Sequence, residues 1–250
     1  KIITFIKDNP EENFELIHNN SYLLNQVNEI FKGNKLQGII SHEDGRIDPK
    51  LLLKTLNNIL KVKNINTLND RIIEIQKKHN KWYSRLKTGD VITSEIIILC
   101  NSLNSLDLIN LKNYGIKMRP VVGQAIELFC NEHDMNFLSL PKHLNINGKN
   151  LIPLSEQKII IGSTDEYNFQ AEELYINQLI DFIEVKPDWL NKHKISRKWF
   201  GIRSRPEGEP SPILKSLEKG LILCSGFYKN GILLAPACSN WISEEIKNHI

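Results

Sequence analysis

Two short segments near the C-terminal end carry the residues best suited to holding a small ligand. The first is GFYKNGILLAP, Gly226 to Pro236, in which Gly226 and Gly231 flank four residues between an apolar run and a helix-prone run. Glycine lets the backbone come close to a flat ligand, and a helix starting there presents N–H donors and a partial positive charge. Such an end suits an anionic or electron-rich ring. The second is Trp199-Phe200-Gly201-Ile202-Arg203, followed by Pro206-Glu207-Gly208-Glu209-Pro210. A guanidinium held after a glycine, between aromatic residues and a proline-rich loop, offers a planar fork to a carboxylate. Taken singly, an ordinary strand-to-helix turn and a salt-bridging arginine account for the same residues. Their joint occurrence predicts one cavity, with Arg203 on one side and the helix tip on the other.

The elements that must position these groups follow from periodicity. KIITFI reads as a strand, DNPEENFELI as a turn, and SYLLNQVNEIF as a helix through the spacing of Leu23, Leu24, Val27, Ile30 and Phe31. The strand LQGIIS leads to a second helix with Asp48 at the N-cap and Pro49 at the first helical position. RIIEIQ, KWYSRLK and VITSEIIILC predict a β-meander ending in a buried strand. MRPVVGQAIELF predicts a strand in which Gly123 marks a bulge or the close approach of another group. NLIPLSEQKIIIGSTD predicts a hairpin turning at Ser155 to Gln157, and AEELYINQLIDFIEV an amphipathic helix stopped by Pro187. KWFGIRSRPEGEPSPIL reads as loop-rich, LILCSG as a buried strand and LLAPACSNWISEEIKNHI as a terminal helix. Strand, glycine turn and helix in this order form an edge on which a cofactor can rest.

Composition narrows the class. The 250 residues are 41% hydrophobic and 24% charged, in the ordinary globular range, and hold no repeat or low-complexity linker. A net charge of +3, spread over 32 basic and 29 acidic residues, predicts no nucleic-acid partner. Cys100, Cys130, Cys224 and Cys238 lie far apart, three of them in apolar runs, which predicts buried reduced thiols. No cysteine pair or histidine pair has metal-site spacing, so no metal is expected. Every apolar stretch is well short of the roughly 18 residues that cross a bilayer, and a cytoplasmic location is the expectation. The opening at Lys1 inside a strand-like run reads as a fragment or a processed chain.

The order GRIDPKLL, VITSEIIIL, RPVVGQ, IIIGSTDE, WFGIRSRPEGEP, GFYKNGILLAP resembles the later two-thirds of the D-amino-acid oxidase superfamily of flavoproteins. GFYKNGILLAP itself is most similar to the glycine oxidases of thiamine biosynthesis. The resemblance implies a mixed α/β (α+β) fold, in which part of an FAD-binding α/β domain interlaces with a mostly antiparallel β-sheet substrate domain carrying helices. It puts residues 46–118 and 200–250 in the FAD-binding domain, and residues 1–45 and 119–199 in the substrate domain. It also assigns the substrate carboxylate to Arg203 and the flavin pyrimidine edge to Phe227, Tyr228, Lys229, Asn230, Gly231, Ile232 and Leu233. An adenine-side backbone contact falls on Ile72. The activity implied is hydride transfer from the amine-bearing carbon of a small amino acid to FAD. The resulting imine is hydrolysed, and oxygen serves as acceptor. Neither a nucleic acid nor a membrane span is implied, and a homo-oligomer stays open. A quinone-linked D-amino-acid dehydrogenase and a non-catalytic, flavoprotein-like binding module are the alternatives.

Departures from the pattern qualify the match. No G-x-G-x-x-G follows a strand, and that fingerprint seats the FAD pyrophosphate on a helix N-terminus; truncation or loss would explain its absence. Leu99-Cys100-Asn101-Ser102 stands where a small residue and glycine are usual, and Phe227 stands where histidine is common. Asn150 and Asp165 fall near pocket positions, with Asp165 read as a solvated loop carboxylate or as a group favouring an amine.

Overall fold

Local signals and long-range pairing agree best where helices start. Asp48 accepts hydrogen bonds from the backbone N–H groups of Lys50 (2.8 Å) and Leu51 (3.1 Å), and Pro49 follows as the first residue of a 14-residue helix. The computed structural model describes residues 14–17, 22–32, 38–41, 45–130 and 136–249, so the expected strand KIITFI lies outside the described residues. The chain divides into two units, crossing between them several times. One comprises Lys1–Asn64, Gln124–Thr164 and Ala171–Phe200; the other comprises Ile65–Gly123, Asp165–Gln170 and Gly201–Ile250.

In the first unit, β1 (Phe14–Ile17) pairs antiparallel with β2 (Gly38–Ser41). The turn expected across DNPEENFELI is thereby corrected at Phe14–Ile17, where the ladder with β2 satisfies the backbone groups. Helix α1 (Tyr22–Ile30) buries Leu24, Val27 and Ile30, whose three-residue spacing puts them on one face. Helix α2 (Pro49–Val62) buries none of its residues. A five-stranded sheet follows, from β7 (Met118–Phe129, its residues up to Gly123 counted in the second unit), β8 (Leu144–Ile146), β9 (Lys149–Ser155), β10 (Lys158–Gly162) and β11 (Lys194–Pro206, its residues from Gly201 counted in the second unit), in the order β11-β7-β10-β9-β8. The β9–β10 hairpin turns where expected, and Ile159 and Ile161 alternate into the core with Ile126, Leu128 and Leu151.

Aromatic edges close that core. Phe31 and Phe137 meet the Trp189 ring edge-on at 5.7 and 5.0 Å between centroids, and the Trp189 Nε1–H donates to the Ile30 carbonyl at 2.8 Å. Trp189 belongs to the single-turn helix α4 (Asp188–Asn191), and an earlier single turn, α3 (Leu174–Asn177), is all that forms of the long helix expected before Pro187. Ile176, Leu179, Phe182 and Ile183 are still buried at helix-like spacing. Their backbone bonds, however, include the three-residue steps Leu179 to Ile176 and Ile180 to Asn177. β-Branched Ile176, Ile180 and Ile183, with Asn177 and Asp181, are weak helix formers, so successive turns deliver the same apolar face.

The second unit holds the meander β3 (Ile72–Lys78), β4 (Lys81–Leu86) and β5 (Val91–Ser94). It also holds a sheet in which β13 (Leu221–Ser225) lies between β12 (Ile213–Glu218), antiparallel, and β6 (Ile97–Leu99), parallel. All five residues of β13 are buried, as its unbroken apolar run predicts. Leu99, Leu111, Ile116, Leu221 and Leu223 pack with Trp82 into a second core. Helix α5 (Gly231–His249) ends the described chain. The loop-rich reading of KWFGIRSRPEGEPSPIL is corrected: thirteen of these and adjoining residues form β11, and only residues 207–212 separate it from β12. β11 is an outer strand of its sheet and largely exposed over its first half, so it needs no apolar alternation to mark it. Among the described residues, no helix is long and apolar enough to cross a membrane.

Trp189→Phe removes the indole donor and leaves the Ile30 carbonyl without that bond. The expected cost is about 1–3 kcal/mol in urea unfolding, against within about 0.5 kcal/mol for Lys247→Ala on an exposed pair.

Candidate active site

Strand alternation places Arg203 and Arg205 on one face of β11, with Ser204 between them turned the other way. Ser204 is tied down twice: its hydroxyl accepts from Ser102 Oγ at 2.9 Å, and its carbonyl accepts from the Tyr228 N–H at 3.1 Å. The turn between β13 and α5 is thereby fixed against β11. Gly226 has φ of 68° and Tyr228 φ of 51°. A Cβ at Gly226 would stand 2.8 Å from Pro206 Cγ and 3.1 Å from Ile213 Cγ1, so the turn requires glycine for both conformation and space.

Gly123 answers the second glycine question. A Cβ there would overlap the Arg203 guanidinium, so the close approach expected in β7 is that of Arg203 itself. The guanidinium meets Asp165, whose Oδ1 lies 3.4 Å from Arg203 Nη1 and accepts from Tyr228 Oη at 3.2 Å. Asp165 Oδ2 pairs with Lys229 Nζ at 2.6 Å. Backbone bonds in both directions between Val122 and Glu166, 2.7 and 2.9 Å, anchor the Asp165 segment to β7. Two tyrosines extend the cluster: Arg205 donates to Tyr167 Oη at 2.7 Å and lies 5.0 Å over the Tyr228 ring, while Arg119 lies 4.4 Å over the Tyr167 ring.

Of the nine residues assigned to substrate and cofactor, five line two cavities, and Lys229, Asn230, Ile232 and Leu233 line neither. One, of about 510 Å³, is lined by Arg203, Ser204, Phe227, Tyr228 and Gly231. Arg203 and Gly231, the first residue of α5, thus border one cavity. Ile72 lies in the other, of about 470 Å³, with Asp70, Leu99 and Leu108. Cys100 borders both. Lys229 turns to Asp165, and Asn230 accepts at its carbonyl the first helical bond of α5, from the Leu234 N–H at 3.0 Å. The N–H groups of Gly231, Ile232 and Leu233 therefore precede the helical ladder. The Ile232 and Leu233 side chains are exposed.

Asp165 is an exposed loop carboxylate, as one of its two sequence readings expects, and it has three polar partners. Tyr167 and Arg205 escape the sequence reasoning, although the two-residue spacing of Arg203 and Arg205 on a strand is a readable signal. The expected burial of thiols holds for Cys130, Cys224 and Cys238 but not for Cys100, which lies one residue past β6 and is exposed. All four are free thiols. A hydrogen bond from the Cys224 thiol draws the Cys100 thiol down to about 7 against the opposing effect of burial. Cys224 is pushed upward, first by that bond and then by burial.

Comparison with known proteins supplies the family. Residues 10–245 match the DAO family, described as FAD dependent oxidoreductase, and the chain belongs to that family. Glycine oxidase of Pseudomonas putida is 29% identical over 158 residues, covering 61% of this chain and 42% of that protein. The bifunctional protein ThiO/ThiG of Synechocystis is 24% identical over 212 residues, 82% of this chain and 31% of its own length. The chain thus spans less than half of these curated relatives. The crystal structure of glycine oxidase from Bacillus cereus superimposes with a TM-score of 0.78 at 18% identity, over 99% of this chain and 70% of that one. Iminodiacetate oxidase from Chelativorans gives 0.76 at 16% identity, over 100% and 68%. These structures establish the mixed α/β fold.

Iodoacetamide is expected to label Cys100 first, at a rate that rises with pH through a midpoint of about 7. The thiolate is present above that value and lost below it. The groups that face it are Cys224, then Arg203 across the first cavity and Asp70, Arg71 and Asp107 along the second, with Cys238 beside Cys224. Cys224→Ala removes the donor and should move the midpoint up toward the ordinary thiol range of about 8.5.

Proposed function

We propose that the protein is an FAD-dependent oxidase of a small amino acid, glycine or a secondary amine such as sarcosine, with Arg203 holding the substrate carboxylate. The observation that carries this reading is the cavity bordered by both Arg203 and Gly231, the first residue of α5. A carboxylate, that of Asp165, already sits beside the Arg203 fork, so the fork accepts the chemistry assigned to it. The names of the relatives, glycine oxidase and iminodiacetate oxidase, support an amine substrate bearing an acid group.

The residues present fit the ring end of FAD. Gly226 and Gly231 keep side chains away from the turn, and the N–H groups of Gly231, Ile232 and Leu233, at the positive end of a 19-residue helix, would stabilise negative charge on a bound ring. The second cavity, reached past Cys100 and lined by Ile72, suits the adenine end. In this reading residues 46–118 and 200–250 serve the cofactor, and residues 1–45 and 119–199 serve the substrate.

When bound, FAD supplies the acceptor for the hydride that leaves the amine-bearing carbon. The chain's own part is positioning. Arg203 makes charge-assisted bonds to the substrate acid, and Asp165, displaced from it, keeps its bond to Lys229. Packing of the guanidinium on Gly123 fixes the direction of the fork, and hence where the amine-bearing carbon lies relative to the α5 tip. No side chain is required as a base if the amine enters neutral. Oxygen is the proposed final acceptor.

Arg203→Ala in the flavin-bearing enzyme is expected to raise KM for the amino acid by about 30- to 150-fold, equivalent to about 2–3 kcal/mol of a charged hydrogen bond, with flavin absorbance retained. Gly123→Ala should produce a similar rise, and the double variant little more, since both act on one group. Unchanged KM in Arg203→Ala would refute the carboxylate role, and failure to accumulate peroxide with substrate would refute oxygen as acceptor.

A further inference from the structure

We propose that Cys100 and Cys224 form a redox-active dithiol that closes into a disulfide on reaction with a hydroperoxide. The inference stands on the packing of β6 against β13 and does not depend on the substrate proposed above. The two strands run parallel in register, Ile97 with Leu221, Ile98 with Ile222, and Leu99 with Leu223. Cys100 and Cys224 are the residues that follow the last of these pairs. Neighbouring strands lie about 4.8 Å apart, inside the roughly 4.4–6.8 Å Cα separation that a disulfide spans. The two thiols shift each other's titration, and both line the first cavity. Cys100 is exposed and borders both cavities, whereas Cys224 is buried and borders only the first, so Cys100 is the more accessible thiol.

The electronic arrangement suits the same order of events. The downward shift of its thiol raises the thiolate share of Cys100 at neutral pH, and the thiolate is the attacking species. Its sulfur attacks one peroxide oxygen; the S–O bond forms, the O–O bond breaks, and the other oxygen leaves as hydroxide and takes up a proton. The product is a sulfenic acid on Cys100. The interaction with the Cys100 thiolate, the first of the causes that raise the Cys224 thiol, is then gone, while burial remains. The Cys224 sulfur attacks the sulfenic sulfur, the S–S bond forms, the S–O bond breaks, and water leaves with the Cys224 proton. Two thiols and one hydrogen peroxide give one disulfide and two waters, the thiols losing two electrons to the peroxide. Cys238, on α5, lines the same cavity and lies beside Cys224, but it is buried.

The test is titration of the purified protein with one equivalent of hydrogen peroxide at neutral pH. The four thiols seen by a chromogenic disulfide reagent in denaturant should fall to two, with loss of two hydrogens by intact mass, reversed by dithiothreitol. Peptide mapping under non-reducing conditions should join the Cys100 and Cys224 peptides. Cys100→Ser and Cys224→Ser should each abolish the link, Cys130→Ser should leave it intact, and Cys224→Ala should slow the initial oxidation of Cys100 severalfold. Mapping of the unaltered protein decides the matter even if a variant fails to fold. Conversion of Cys100 to sulfinic acid without a link, a link between Cys224 and Cys238 instead, or survival of all four thiols would each overturn the proposal.

Discussion

The Arg203 guanidinium lies against the bare Cα of Gly123, and that contact sets the direction of the positive charge on which the candidate site is built. A long, flexible cation on a strand is ordinarily free to point in several directions. Here the missing Cβ makes a slot for it, Asp165 meets it at the open side, and Tyr228 and Lys229 join the same carboxylate. The turn that carries Tyr228 is in turn tied to the carbonyl of Ser204, the residue next to Arg203. Backbone bonds thus tie the helix-start turn to β11 and the Asp165 loop to β7, and the Asp165 side chain bridges them.

Much of this is legible in the sequence because it rests on local rules. Asp48-Pro49 specifies a helix start by side-chain capping and a fixed φ, and LILCS specifies a fully buried strand by its apolar run. The GFYKNG turn shows its purpose through Gly226, whose position tolerates no side chain. β11 is not legible. It is an edge element whose first half is polar and exposed, so its partner in the sheet, rather than its own pattern, makes it a strand. The failure at AEELYINQLIDFIEV has the opposite cause. Its apolar spacing is right, but weak helix formers let the backbone satisfy that spacing with separate turns.

The site is legible in its two endpoints and not in what connects them. Arg203 and the Gly226–Gly231 turn can be picked from residue type, whereas the convergence of Asp165 on Arg203 and Lys229 depends on a bridge between Val122 and Glu166 that joins distant parts of the chain. The exposure of Cys100 likewise depends on β6 ending at Leu99, one residue earlier than the apolar run suggests. Three thiols far apart in sequence become neighbours because parallel pairing of β6 with β13 and the return of α5 bring them to one cavity.

The convergence on Asp165 also bears on how such a cavity can change its preferences over generations. The scaffold that aims Arg203 and Lys229 is made of backbone ladders and glycines, none of which depends on the identity of the acid between them. Replacing that one side chain by a neutral or apolar group would alter the charge offered to an incoming molecule while leaving the framework in place. A shift in selectivity is therefore open to a single codon change, without the loss of folding that a core replacement would bring.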